Sequence, residues 1–386
     1  MADASSEANR VTTLELFFDL VFVFTITQLT AVLYHAPTLR SLAQVVLMLG
    51  VIWWMYGGYA WMTNAVRAHT AIRRLLLLGG MGGYFVLALA IPNAFSSSGL
   101  AFGLAYLVVV GVHATLFTRA SSASAAKAIL TLAPYNLGSA LVIVAGGAIG
   151  GTAQYVLWSL AFAFEWLTPV IRRSGGFEIA PAHFVERHGL VVLIAVGESV
   201  VAIGIGASHL AVDAGLVAVA ALGLGLSACL WWLYFGSGDD ERAERALAAM
   251  TPVRRSRGAL RGYGYWHLPM LLGIVTIAAA ERLAFAHPFT ALSWSRAAML
   301  AGGVAVFLVG DVLFRRELVI GSSKVRAAAA LLAVATLPLG ARVFPAAQIG
   351  ALVALLIVAL VVEARPRGYC ASAFAGSAGT SPQRRR

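Results

Sequence analysis

Residues 183–205 read HFVERHGLVVLIAVGESVVAIGI. The stretch has the length and apolarity of a helix that crosses a bilayer of about 30 Å. Yet Glu198 lies near its middle, and His183, Glu186, Arg187 and His188 crowd its start. A carboxylate at that depth costs about 2.5–3.5 kcal/mol on insertion scales, so it marks a functional site by default. The stretch therefore reads as a membrane helix with a polar role, and the chain around it must supply the bundle.

The composition agrees. Of 386 residues, 60% are hydrophobic and 12% charged, with a mean hydropathy of +0.83. Soluble domains carry about 25% charged residues, so lipid must solvate most of this surface. The net charge of +11 does not point to nucleic acid, because the basic residues sit in short loops between apolar runs. Cys229 and Cys370 are too few for a disulfide framework or a Cys-based metal site. The start, MADASSEANR, lacks the basic region and cleavage site of a secretory signal. The first apolar run is expected to remain as a signal-anchor. Lysine occurs only at Lys127 and Lys324 while arginine and alanine abound, a bias of high-GC bacterial coding. The expected location is a bacterial inner membrane.

Runs long enough to span fall at 13–34, 41–62, 72–95, 99–118, 127–147 and 151–171, then at 183–206, 211–236, 260–285, 291–314, 323–343 and 345–363. The loops test this count of twelve. With a cytoplasmic N-terminus, the opposite side holds only Arg40, Arg282, Arg296 and Arg342 of the 28 Lys and Arg. The other basic residues fall on the cytoplasmic side, Arg67, Arg119, Arg173 and Arg315 among them, which predicts both termini cytoplasmic. The chain divides into an N-terminal tail 1–12, a first half 13–171, a linker 172–182, a second half 183–363 and a basic, disordered tail 364–386. Within the largest cytoplasmic loop, 237–261, the portion DDERAERALAAM reads either as a short surface helix or as a solvated linker.

Faint internal similarity runs in a constant order. Leu20-Val21 matches Leu190-Val191, which sets Gln28 opposite Glu198. Trp53-Trp54-Met55-Tyr56 of span two matches Trp231-Trp232-Leu233-Tyr234 of span eight. Leu116-Phe117 before Arg119 matches Leu313-Phe314 before Arg315, and Glu165 parallels Glu363. The predicted fold is an all-α integral membrane protein of about twelve helices. An even number per half makes it a parallel 6+6 pseudo-repeat, an architecture common among secondary transporters.

Span one opens TLELFFDLVFVFTITQL. Glu15 and Asp19 are i and i+4 on one helical face, and two carboxylates so close require a cation between them or a proton on one. In span seven, His183, Arg187, Ile194, Glu198 and Ile205 fall on one stripe. Spans one and seven enter from the same side, so Arg187 is expected to reach Glu15 or Asp19. Glu198 lies about 16 Å deeper than Arg187 and has no cation beside it in sequence. Either another helix supplies one, or the group takes up a proton, as a proton-coupled carrier needs. Glu198, Ser199 and Gln28 are the candidate coupling group. Glu15, Asp19, His183, Glu186 and Arg187 are the candidate polar gate, with an interfacial ion-pair network the alternative. His113, Asn136 beside Pro134, Glu165, His267 and Asp311 are secondary candidates, for which an interhelical hydrogen bond is the simpler role. Glu165 and Asp311 lie near enough to the cytoplasmic interface to snorkel or to pair with flanking arginines.

No HExxH spacing is present, and His188 lies about 140° around the helix from His183, so a metal site would need ligands from other spans. Gly197-Glu198-Ser199 lacks the G-x-S-x-G pattern, and no phosphate or dinucleotide fingerprint occurs. No catalytic residue, metal or cofactor is assigned. The partners expected are membrane lipid and a small solute or ion.

ELFFDLVFVFTITQL at 15–29 and HFVERHGLVVLIAVGESVVAIG at 183–204 resemble the signature segments of the bacterial low temperature requirement A (LtrA) family. The family pattern falls on Glu15, Asp19 and Gln28, then on His183, Glu186, Arg187, Gly197, Glu198 and Ser199. The resemblance implies a polytopic membrane protein of this size and carries no reaction with it.

The leading functional expectation is a secondary transporter or permeation protein coupled through Glu198. The alternatives are a membrane-embedded enzyme acting on lipid through His183, Glu186 and Glu198, and a structural or cold-adaptation protein whose polar network fixes packing. A central cavity reaching Glu198 favours the first, a side opening to lipid the second, and a closed dry bundle the third.

Overall fold

The computed structural model describes residues 11–65, 70–118, 123–172, 179–236 and 238–364, and all regular structure among them is helical. Span one is Thr13–His35, span two Leu39–Ala65, and span three Ala71–Ala90 with a 3-10 turn Ile91–Asn93. Spans four, five and six are Gly99–Phe117, Ala123–Ile149 and Gly151–Arg172. Span seven is Pro181–Ala207. Span eight, Ala214–Trp231, continues into a π-helix, Trp232–Gly236. Span nine starts as Pro252–Ala259, passes through a π-helix at Leu260–Tyr265 and runs on as His267–Ala286. Span ten is Trp294–Leu318 and span twelve Pro345–Ala364. Eleven of the helices among the described residues are long and apolar enough to cross a membrane. Span six completes the set by position with 22 residues. It is the more polar because Gln154, Glu165 and Thr168 lie in it, all buried.

The ends follow from local chemistry. Thr12 and Glu15 form a reciprocal capping box at the start of span one, which satisfies donors that a helix start leaves free. Asp213 caps span eight, and Pro181 occupies the first turn of span seven, where a missing N–H costs nothing. Leu75, Leu160, Val217, Leu331 and Val358 point outward, as lipid-facing positions require.

Two segments take a more definite form than the sequence reading gave them. Span eleven is two helices, Lys324–Ala335 and Leu337–Arg342. Pro338 has no N–H to continue the ladder, and the Thr336 hydroxyl turns back to the Ala333 carbonyl at 2.7 Å. Of the two readings of the DDERAERALAAM portion, the short amphipathic helix is the one formed, and it is docked rather than free. The helix is Asp239–Ala249, docked by its buried Ala243 and Leu247. Pro134 and Pro169 sit inside continuous helices. Residues 1–10 of the N-terminal tail, the linker residues 173–178, the tail 365–386, Arg67 and Arg119 lie outside the described residues.

Much of the neighbour order recurs in both halves, although span two also packs on span four, and span eight on nine and span ten on twelve, each without a counterpart of similar extent. Span one packs on two and three, three on four, four on five, five on six, and two on six. Span seven packs on eight and nine, nine on ten, ten on eleven, eleven on twelve, and eight on twelve. The halves meet where spans one and two pack against seven and nine.

Spans nine and ten approach through backbone. A Cβ on Gly273 would lie 2.6 Å from the Gly303 carbonyl oxygen, and one on Gly303 would lie 3.0 Å from that of Gly273. Small residues at such crossings replace the hydrophobic drive that lipid does not supply. Gly273→Leu is therefore expected to cost about 1–3 kcal/mol by overpacking. Gly302→Ala, at a position with open space within 4 Å, leaves stability unchanged. Thermal unfolding midpoints in detergent check the pair. Equal midpoints for both variants would contradict this account of the crossing.

Candidate functional site

At the end of the bundle where odd-numbered spans begin, Arg187 is 0% exposed. Its Nη1 lies 3.3 Å from Glu15 Oε1 and its Nη2 3.4 Å from Asp19 Oδ1. Nη1 also donates to the Thr63 hydroxyl, and the guanidinium lies over the rings of Phe18 and Tyr56. Tyr56 donates to Asp19 Oδ1 at 2.9 Å. His183 closes the group from the other side, with Nε2 3.2 Å from Glu15 Oε1 and Nδ1 3.3 Å from the Asn64 amide. Asn64 also exchanges two hydrogen bonds with the Ala180 backbone, which fixes the start of span seven against span two. The i, i+4 spacing that seemed repulsive in sequence thus presents two acids to one arginine, whose planar fork suits the task. Glu186 does not join them. It is exposed, because one residue along a helix turns the side chain by about 100° from Arg187.

Deeper on the same side lies an aromatic box. His188 is buried, its Nδ1 2.8 Å from the Phe184 carbonyl oxygen, with Trp53, Tyr263 and His267 around its ring. His267 Nδ1 lies 2.9 Å from the Gly262 carbonyl and Nε2 2.8 Å from the Tyr234 hydroxyl. A carbonyl only accepts, so Nδ1 carries the hydrogen and Nε2 accepts from Tyr234. Gly262 belongs to the π-helix of span nine, as does Gly264, whose carbonyl accepts from Trp53 Nε1 at 2.8 Å. The wider turn thus offers backbone acceptors across the boundary between the halves. Tyr234 lies in the other π-helix. The two WW-x-Y segments therefore do different work, with Tyr56 on the acid–arginine knot and Tyr234 on His267.

A cavity of about 100 Å³ opens beside this box. Trp53, Trp54 and Trp61 of span two, His113, Asn136 and His188 line it, with Gly264 of span nine. Asn136 Oδ1 lies 3.3 Å from Trp54 Nε1. His113 is buried, with its Nε2 unbonded and close against Gly58. Glu198, Ser199 and Gln28 are not among the lining residues. This cavity does not reach Glu198, so it does not supply the sign that would favour transport over the other readings; the carboxyl lies about 25 Å along span seven from Pro181, toward the opposite end.

There, Glu198 is 6% exposed and accepts a hydrogen bond from the Thr27 hydroxyl at 2.7 Å. The facing residue is thus Thr27, one place before Gln28, which stays half-buried and away from the carboxyl. A register difference of one residue between two helices is enough to exchange them. Arg282 of span nine attracts Glu198 electrostatically, while its guanidinium stacks on the Tyr34 ring at 3.9 Å. The stripe read from sequence is buried at His183, Arg187 and Glu198 but ends exposed at Ile205.

Sequence reasoning missed Glu281, one turn from the end of span nine. It is 0% exposed and neither carboxyl oxygen has a hydrogen-bond partner. Ser199 of span seven, which packs on span nine, is likewise buried with its hydroxyl unbonded. The signal was present as an acid inside an apolar run, TIAAAERLAF. The adjacent Arg282 disguised it as an ordinary interfacial pair.

The remaining candidates separate by partner. Glu165 accepts from Tyr106 and Ser139, both at 2.7 Å, and reaches no arginine among the described residues. Asp311 meets Arg326 through both oxygens, at 2.8 and 2.7 Å. Arg326 also holds Glu363 at 3.0 Å, and Arg315 holds Asp239 at 2.6 Å. This second knot ties spans ten, eleven and twelve to the docked helix. No group of three or more metal-ligating side chains occurs among the described residues.

A family model described as the bacterial low temperature requirement A protein (LtrA) matches residues 10–362. An uncharacterized protein of Rhizobium meliloti (strain 1021) is 29% identical over 315 residues, covering 78% of this chain and 76% of its own length.

Proposed function

This chain belongs to the bacterial low temperature requirement A (LtrA) family, and within it we propose a secondary transporter or permeation protein for a small solute or ion, coupled through Glu198. The observation that carries this reading is the placement of Glu198 and Glu281, two buried carboxyls with no ion-pair partner within 4 Å among the described residues, where spans seven and nine meet. Such groups cost several kcal/mol inside a bilayer and are kept where charge must move. The shared neighbour order of the halves supports a parallel 6+6 repeat, the frame in which rocking of one half on the other exposes a site alternately. The Arg187 knot and the Trp53–Gly264 bond cross the boundary that such rocking would open. The cavity beside them is the vestibule on that side. The distribution of loop charges supports cytoplasmic termini in a bacterial inner membrane, and in that orientation the vestibule faces inward and Glu198 lies toward the outside.

The enzyme reading fits less well. It needs His183, Glu186 and Glu198 on one substrate, and Glu186 is exposed while Glu198 lies about 22 Å along the helix from His183.

The test is purified protein in liposomes with an internal pH-sensitive dye and an imposed pH gradient. A panel of inorganic cations and small metabolites is added outside. At least one is expected to accelerate discharge of the gradient over protein-free liposomes. A panel without any such response would reject proton-coupled permeation.

A further inference from the structure

We propose that the cavity beside the aromatic box is a binding site for a small neutral ring compound, aromatic or heteroaromatic, that carries an N–H or O–H donor. As the substrate site of the vestibule it rests on the transport reading for its purpose, while binding itself is tested apart from any flux.

Size and shape set the first limit. The cavity holds about 100 Å³, and an engineered apolar cavity of about 150 Å³ takes up benzene, so the enclosed part fits one ring. Trp54, Trp61, Phe117 and Pro169 are among its walls, and flat aromatic walls gain contact area against a flat guest. Gly57 and Gly58 keep the span-two side clear. A Cβ on Gly57 would meet no atom within 4 Å, and one on Gly58 would lie 3.1 Å from His113 Nε2.

Charge sets the second limit. No Asp, Glu, Lys or Arg is among the described residues that line the cavity, and an unpaired ion away from water is costly. A cation could bind on aromatic faces instead, but Trp53 already stacks on Tyr56 and His267. A neutral guest meets neither difficulty.

The polar groups set the third. His113 is 3% exposed and its Nε2 has no partner. His188 is buried, and its Nδ1 carries the hydrogen that the Phe184 carbonyl accepts, so Nε2 is left as an acceptor. Asn136 accepts from Trp54 Nε1 through Oδ1, which leaves its NH2 group to donate. A buried nitrogen without a partner costs the fold free energy, and a guest that bonds to it removes that cost. These three side chains come from spans four, seven and five. A guest held by them bridges the two halves, across the boundary that rocking would open.

Ligand-observed saturation-transfer NMR on the full chain in lipid nanodiscs, with empty nanodiscs subtracted, tests this with four rings of one size. 2-Pyridone is neutral and carries N–H beside C=O, and N-methyl-2-pyridone lacks the donor. Nicotinate is an anion and N-methylpyridinium a cation. Saturable transfer is expected for 2-pyridone and none for the two ions. N-Methyl-2-pyridone is expected to bind about two- to tenfold more weakly, the worth of one hydrogen bond. His113→Phe and Asn136→Leu should each weaken 2-pyridone by a similar factor. The thermal midpoint of His113→Phe should stay near that of the wild type, since Nε2 holds no partner in the fold. Absence of 2-pyridone binding, equal binding of N-methyl-2-pyridone, either ion binding as tightly, or unchanged affinity in both folded variants overturns the proposal. Should a variant fail to fold, the comparison of four rings on the wild type decides. Binding of 2-pyridone without gradient discharge by any solute in liposomes would instead reject the transport reading and leave the site standing.

Discussion

Arg187→Ala is expected to destabilise the protein by about 3–5 kcal/mol, the cost of stranding buried charge when one partner of a buried pair is removed. Glu15 is 4% exposed and Asp19 0%, and no other arginine or lysine lies within 4 Å of either among the described residues. Domains hold only about 5–15 kcal/mol in total, so most of the variant is expected to be lost before purification. Yield and thermal midpoint in detergent measure this. Arg187→Lys should fall between, because an ammonium cannot span two carboxylates or lie flat on Phe18 and Tyr56. The triple change Arg187→Met with Glu15→Gln and Asp19→Asn should recover most of the loss, because no unpaired charge remains. A stable Arg187→Ala would mean that the knot does not hold the two halves together.

That knot was legible in the sequence. Glu15 and Asp19 share a face by spacing, and matched entry of spans one and seven set Arg187 at their depth. The spans themselves were equally plain, because apolar length and loop charge are one-dimensional signals. What stayed hidden depended on rotation and on partners remote in the chain. A shift of one residue gave Glu198 to Thr27 rather than Gln28. Pairing of Asp311 with a flanking arginine was anticipated and Arg326 supplies it, but the joining of Arg315 and Arg326 to Asp239 and Glu363 in one buried knot was not. The two π-helices have no signature in composition, and they supply the carbonyls that hold His267 and Trp53. Glu281 was masked by its neighbour Arg282, although Arg282 stacks on Tyr34 and both Glu281 oxygens are unbonded. The aromatic cavity drew residues from six spans, more than any local pattern records.

The buried carboxyls therefore fall into two kinds, those paired with arginine and those, Glu165, Glu198 and Glu281, with no ion-pair partner within 4 Å among the described residues. Arginine-centred knots at one end join elements through matched charge. Toward the other end, Glu198 accepts from Thr27 and Glu281 has no bonded oxygen, and neither has an ion-pair partner within 4 Å among the described residues. Structure alone needs the first kind and is poorly served by the second, since apolar residues of the same volume would pack spans seven and nine at lower cost.

Glu198→Gln separates these roles. Glutamine keeps the shape and can still accept from Thr27, but it exchanges no proton. The measurement is gradient discharge in proteoliposomes, stimulated by the responsive solute, with the thermal midpoint taken on the same preparations. The account predicts a midpoint near that of the wild type and loss of the stimulated flux in Glu198→Gln. Full flux in a normally folded Glu198→Gln would contradict it.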